Sequence, residues 1–394
     1  MSKFRLIIYL LFLGCYGLNA EIPQISLLTC DSGDELYSTF GHSGIRVLHP
    51  ETNYDVVYGY GTFDQRQDGF YLKFMRGKLL YYMSVTTYKR FLNEYNYFKR
   101  GVDEQVLNLD SLQTYQMIDF LENNMKEENR YYKYDFFFDN CATRIRDIME
   151  SEFKTDFDKS SVDKTYRDLL DENLKSLVWS DFGIDVVIGA VADRDSDWRN
   201  RMFLPSYLKD RFESAKVNGK ALVKSNKNIL NFEEAKSKRL TVPFITPFKI
   251  FMVLLFLVLV WTIINNSLSN KLVSITGFVW YLMMSIFCII IIFLWFFTDH
   301  LATKENWNLL WISPFFIIGL VRYRSLFKKK RLQYVLIGII ASSILALVFW
   351  SIIPQRFHLA FIPMMIISIV IATGQLRENI NQNGWFFSKQ KQLT

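Results

Sequence analysis

Four long stretches in the C-terminal part of the chain contain no Asp, Glu, Lys or Arg, and they leave few ways for it to fold. They are Ile250–Asn270, Leu272–Phe297, Leu332–Pro354 and Phe357–Leu376. Each is near or above the roughly 20 residues that a helix needs to cross a bilayer. Asn306–Val321 is shorter and holds Pro314, so it reads either as a fifth span or as a re-entrant segment. Arg322, Arg324, Lys328, Lys329, Lys330 and Arg331 crowd the next loop and mark it as cytoplasmic. With residues 21–243 outside, five spans place that loop inside, along with a tail carrying Arg377, Lys389 and Lys391. The two outward loops, containing Thr298–Glu305 and Gln355–Phe357, then hold one basic residue each.

The charge follows the same division. Residues 21–243 carry 31 Lys+Arg and 36 Asp+Glu, a net of −5, whereas residues 244–394 carry 13 and 3, a net of +10. The overall +7 is therefore a property of the membrane segment and gives no reason to expect a nucleic-acid partner. Met1–Ala20 reads as a secretory signal: Lys3 and Arg5, an apolar run over Leu6–Leu13, and Leu18-Asn19-Ala20 before the cut. A lipoprotein-type cut before Cys15 is the alternative. The expected parts are a signal (1–20), an extracytoplasmic domain (21–243), a five-helix transmembrane domain (244–376) and a cytoplasmic tail (377–394).

Within the exported part, Gly44–Leu48 and Tyr54–Tyr60 read as strands joined by the turn His49-Pro50-Glu51-Thr52-Asn53. Leu79–Val85 and Val102–Leu109 are further strand candidates. Helical patterns cover Thr87–Phe98, Leu112–Met125 after an Asp110-Ser111 cap, and Asn140–Glu150. Val162–Leu174, Asp181–Val191 and Pro205–Lys216 read as helix and loop. The expectation is an α+β domain, a small antiparallel sheet packed by helices.

The chemistry-bearing residue is Cys141, which follows the aromatic run Tyr134-Asp-Phe-Phe-Phe-Asp-Asn and falls in the first turn of a helix. Free amides and the positive end of the helix dipole there favour a thiolate and can serve a developing oxyanion. A buried structural thiol is the plainer reading. A thiol nucleophile needs a base, and the exported part holds only His42 and His49. His42, in Phe40-Gly41-His42-Ser43-Gly44, leads into a strand among small residues; His49 sits in the turn. Asp55 or Tyr58 could orient His42, and Asn140 could contribute to the oxyanion site or act purely as a helix cap. His300, Asn306 and Asn308, in the outward loop, could meet a substrate head group or simply anchor helix ends. No HExxH, Gly-rich phosphate loop or Cys/His cluster calls for a metal or an organic cofactor, so none is expected. Cys30 could pair with Cys141 in an exported domain, which would abolish the nucleophile.

The segment Phe-Gly-His-Ser, followed about a hundred residues later by an aromatic run and Asn-Cys, resembles the circularly permuted papain-like (NlpC-type) superfamily, in which histidine precedes cysteine. The full layout resembles the lipoprotein N-acyltransferase Lnb family. Asp181-Phe-Gly-Ile-Asp…Gly189…Asp193-Arg194…Phe203-Leu204-Pro205 and Thr298-Asp299-His300…Asn306-Trp307-Asn308-Leu309-Leu310…Pro314 carry the likeness further. The resemblance implies a permuted papain-like extracytoplasmic domain followed by an all-α bundle of five transmembrane helices. It also implies Cys141 as nucleophile and His42 as base. The implied activity moves an acyl chain from a lipoprotein's own glyceryl ester to the α-amine of its lipidated N-terminal cysteine, at the outer face of the inner (cytoplasmic) membrane. Lipoproteins and membrane lipid are the implied partners. Two rivals remain: a membrane-anchored cysteine hydrolase or amidase acting on peptidoglycan or lipid, and a non-catalytic envelope assembly factor.

Overall fold

The computed structural model describes residues 21–160, 163–321 and 330–386. The expected signal, the basic residues from Arg322 to Lys329 and the last eight residues of the tail lie outside the described residues.

Seven strands form one antiparallel sheet. They are β1 (Gln24–Cys30), β2 (His42–His49), β3 (Tyr54–Thr62), β4 (Leu80–Thr87), β5 (Val102–Leu107), β6 (Tyr131–Lys133) and β9 (Val223–Leu230), in the order β6-β4-β3-β2-β1-β5-β9. A two-stranded ribbon of β7 (Lys216–Val217) and β8 (Lys220–Ala221) stands apart. The β2–β3 hairpin is the one expected, with Asn53 closing its turn at φ 54°. Because β1 lies inside the sheet with both faces covered, Ile25–Cys30 are buried as a continuous run rather than alternately.

Both faces of the sheet are packed. One buries Ile25, Leu27, Ile45, Val47 and Met83 against α3 (Ser111–Met125), α4 (Cys141–Phe153) and α7 (Pro205–Ser214), which follow α1 (Phe70–Met75) and α2 (Tyr88–Tyr97) in the chain. The other buries Leu28, Cys30, Val57 and Val102 beneath Phe91 and Tyr95 of α2. Asp110 caps α3 in a capping box with Gln113, so the expected helix start is the observed one.

Among the described residues, and after the short α8 (Glu233–Arg239), three C-terminal helices are long and apolar enough to cross a membrane: α9 (Pro247–Ile264), α10 (Ser267–Phe296) and α13 (Phe361–Asn383). Between them lie the shorter apolar α11 (Phe315–Val321) and α12 (Leu332–Val348). Helix α13 runs past residue 376, where the apolar stretch ends, to Asn383.

The two halves are joined by more than the chain. Helix α6 (Val178–Val187), which follows α5 (Tyr166–Leu174), sinks Phe182 and Val186 into the bundle's core. The Phe182 ring lies 5.5 Å from that of Phe251 and 5.7 Å from that of Phe361. Asn306 and Asn308 donate side-chain amides to the Val186 carbonyl at 3.0 and 3.1 Å, and Asn308 also reaches the Asp185 carbonyl at 2.8 Å. Gln355 donates to the Ile188 carbonyl at 3.1 Å and accepts from Trp307 N at 2.7 Å. These side chains cap the C-terminal end of α6, where carbonyls lack helical partners. Gly189 comes so close that a Cβ there would stand 1.7 Å from the Lys304 carbonyl oxygen. The loops expected on the outward side thus both grip the N-terminal half.

Candidate active site

Cys141 is the first residue of α4, and a full set of caps fixes it there. The Asn140 side-chain oxygen accepts from Ala142 N at 2.9 Å and Thr143 N at 3.0 Å, while Asn140 N donates to the Thr143 hydroxyl at 2.7 Å. The Asn140 amide group donates to the carbonyls of Phe136 and Phe203, at 2.8 and 2.9 Å. Both its donors are therefore engaged. Asn140 is the cap that positions the thiol and not an oxyanion donor, which corrects one of the two readings its sequence position allowed.

The main-chain N–H groups of Ser43, Ala142 and Cys141 itself lie near the sulfur and favour its charged form. Ser43 is the residue after His42, so the strand entrance and the helix start meet at this point. They arrive from opposite faces. Cys141 belongs to the α4 side of the sheet, whereas His42 is registered against Cys30, which lies on the α2 side. Paired residues of β2 and β3 end at Gly44 and Gly59, and beyond them one apolar cavity of about 580 Å³ wraps the strand ends and is lined by both His42 and Cys141. The imidazole Nε2 lies against Gly59, where a Cβ would stand 3.4 Å away. Phe63, Phe136 and Tyr134 form part of the wall, Ile184, Val187 and Ile188 come from α6 and its end, and Ala302 comes from the membrane domain's loop. The chamber therefore rests on the helix that plugs the bundle.

Burial sets the electrostatics. Desolvation, helped by the Arg100 charge, pulls His42 down to about 4. Burial pushes the Cys141 thiol up, and the three main-chain donors and Arg100 only partly offset this. The resting pair is a neutral thiol with a neutral imidazole.

Arg100 is the residue that the sequence did not single out. It lines the same cavity, its Nε donates to the Asp31 carbonyl at 2.8 Å, and its guanidinium lies over the Tyr95 ring at 4.7 Å. Its Nη2 is shielded from solvent and has no hydrogen-bond partner. No local motif announces it; only the tertiary fold brings it beside His42.

Asp55 and Tyr58 do not reach His42. Asp55 is registered opposite Leu48, far along the hairpin, and takes Nε and Nη2 of Arg46 at 2.7 and 2.8 Å. Tyr58 is registered opposite Ile45, and its hydroxyl bonds that of Tyr54 at 3.0 Å. The orienting role considered for either is thereby corrected: one serves an ion pair and the other packs in the core. Asn306 and Asn308 are fully buried on the α6 carbonyls, which matches the anchoring of a helix end rather than the substrate contact, the two readings left open for them. His300 is partly exposed, and its Nε2 lies 3.2 Å from the Phe74 carbonyl. Cys30 and Cys141 are both free thiols. Cys30 shares a hydrogen bond with Tyr95, and burial holds its thiol up at about 12.

Asp181, Asp185 and His358 gather where α6 meets the bundle, within reach of a single ion. Ala360 N donates to His358 Nδ1 at 3.0 Å, which leaves the ring proton on Nε2, 3.7 Å from Asp181. Arg167 already neutralises Asp185 and Asp193. The Arg167 guanidinium on Asp185 already supplies the positive charge that a metal ion would bring.

A thiol at a helix start, in an apolar chamber resting on a helix that packs into a bundle of apolar helices, defines the class: a membrane protein with an α+β domain and a candidate cysteine active site. The family model of the Lnb N-terminal periplasmic domain matches residues 17–172, and that of the Lnb transmembrane domain matches residues 238–381. Together they take in most of the chain, which belongs to the Lnb family. No curated relative and no solved structure gives a significant match.

Proposed function

We propose that this protein is a lipoprotein N-acyltransferase working through a cysteine thioester, with Cys141 as nucleophile and His42 as base. His42 takes the thiol proton as sulfur attacks the carbonyl carbon of a glyceryl ester. Main-chain N–H groups around the sulfur hold the oxyanion. The carbon–oxygen bond breaks, the glyceryl oxygen takes the proton from His42, and a lyso product is left with the acyl chain on sulfur. The α-amine of the lipidated cysteine then attacks the thioester, gives its proton to His42 and releases the sulfur, which takes that proton back.

One observation carries this reading: the sulfur, with main-chain N–H groups nearby, lines an apolar cavity whose wall includes the helix packed into the bundle. That setting suits an ester whose acyl chains stay in the membrane. A permuted papain-like fold, five spans and a cytoplasmic-membrane location with the catalytic domain outside belong to the same proposal. Mass spectrometry of lipoprotein N-terminal peptides tests it. N-acylation is expected with the wild-type protein and lost with Cys141→Ser or His42→Ala. Acylation that persists in Cys141→Ser removes the nucleophile, and ester loss without N-acylation identifies a hydrolase.

A further inference from the structure

Helix α1 is built unlike a soluble surface element. None of its six residues is buried, and Tyr71, Leu72, Phe74 and Met75 are exposed at 79, 55, 49 and 49%. Exposed Lys73 lies among them, and exposed Arg76 and Lys78 follow directly. Large apolar side chains left in water over a whole helix mark an interaction surface, and apolar residues mixed with cations suit a lipid headgroup layer.

Its height above the bundle is fixed. Asp299 N donates to the Arg76 carbonyl at 2.9 Å, and His300 Nε2 holds the Phe74 carbonyl at 3.2 Å. Gly77, at φ +66°, packs so closely on His300 that a Cβ would stand 3.2 Å from its nitrogen. Asp299 and His300 directly follow the end of α10, where Phe296 and Phe297 are 61 and 63% exposed, as interfacial aromatics are. The exposed face of α1 therefore continues the membrane-facing surface of the bundle. Phe74 also lines the catalytic cavity, as do exposed Leu36 and Tyr37.

We propose that α1 is a lip that inserts into the outer leaflet, so that the ester-bearing lipid slides from the bilayer into the Cys141 chamber without passing through water. This rests on the acyltransferase reading, and its test includes a readout that needs no activity. A nitroxide on Tyr71→Cys, in full-length Cys141→Ser protein reconstituted into phospholipid bilayers, is compared with one on Tyr97→Cys, a residue 80% exposed on α2. The lip label is expected to be relaxed by oxygen and shielded from a water-soluble nickel chelate, and the Tyr97 label the reverse. Nickel access equal at the two positions overturns the proposal.

The triple variant Tyr71→Ser, Leu72→Ser and Met75→Ser then tests entry. It is expected to slow acyl transfer from a bilayer-embedded lipoprotein about 10-fold or more, given the apolar area withdrawn from the membrane. Acylation of Cys141 by a water-soluble short-chain ester, which checks the fold and the chemistry, is expected to continue at the wild-type rate. Equal losses on both substrates, or no loss on the embedded one, overturn the entry role. If the wild-type protein transfers no acyl chain to the embedded lipoprotein, the acyltransferase reading falls, while the label measurement still decides whether α1 enters the bilayer.

Discussion

A base held in apolar surroundings should keep working in acid, and the role proposed for His42 gives that expectation a magnitude. At pH 5 a histidine with a pKa of 6.5 is about 3% neutral, while one at about 4 is about 90% neutral, a difference of roughly 30-fold in competent base. The half-reaction that isolates this group is the acylation of Cys141 by a short-chain ester. The accepting amine, which titrates on its own, takes no part in it. Single-turnover acylation, followed by intact-protein mass spectrometry from pH 3.5 to 9 in lipid nanodiscs, should hold its rate down to about pH 4.5 and halve near pH 4. The same burial has a cost in stability. The folded pKa lies below the unfolded one, so the unfolded chain takes up protons first as the pH falls below 6.5. The native state then loses about 3 kcal/mol by the time the pH reaches 4, a loss that His42→Gln should remove. A rate that halves between pH 6 and 7 would refute the reasoning, because it would mean a solvated imidazole or a different base.

Three further outcomes follow from the packing. Arg100→Gln removes the charge that lowers both His42 and Cys141, so alkylation of Cys141 by iodoacetamide at pH 8 should slow about threefold while the melting temperature changes little. Asn308→Ala leaves the buried carbonyls of Asp185 and Val186 short of a donor. It should cost about 1–3 kcal/mol by detergent melting, and protease access to the segment between α6 and α7 should rise. Arg167→Met strands the carboxylates of Asp185 and Asp193 in the interior and should destabilise the protein by about 3–5 kcal/mol, read as a lower melting temperature or lost expression.

What the sequence made legible depended on how local each cause was. The β2–β3 hairpin, the cap of α3 and the thiol at the start of α4 are encoded by neighbouring residues, and all three are where the pattern placed them. Strand β1 was missed because a central strand buried on both faces loses the alternation that identifies strands. Strand β9 was missed for the opposite reason: an edge strand rich in Lys and Asn reads as a loop. The site's long-range parts were hidden in the same way. Asn306 and Asn308 look like free polar residues until the carbonyls of a helix more than a hundred positions earlier descend on them. Asp55, promising because its strand adjoins His42, is separated from it by register and claimed by Arg46.

Phe182 and Val186 belong to the hydrophobic interior of the bundle although they precede residue 243 by more than fifty positions. A water-soluble half, expressed on its own for screening or crystallisation, would therefore emerge with a greasy underside and with α6 stripped of its capping amides. Such a fragment should precipitate or demand detergent despite having no membrane span, and inhibitor discovery against this protein is better begun with the intact molecule in a lipid environment.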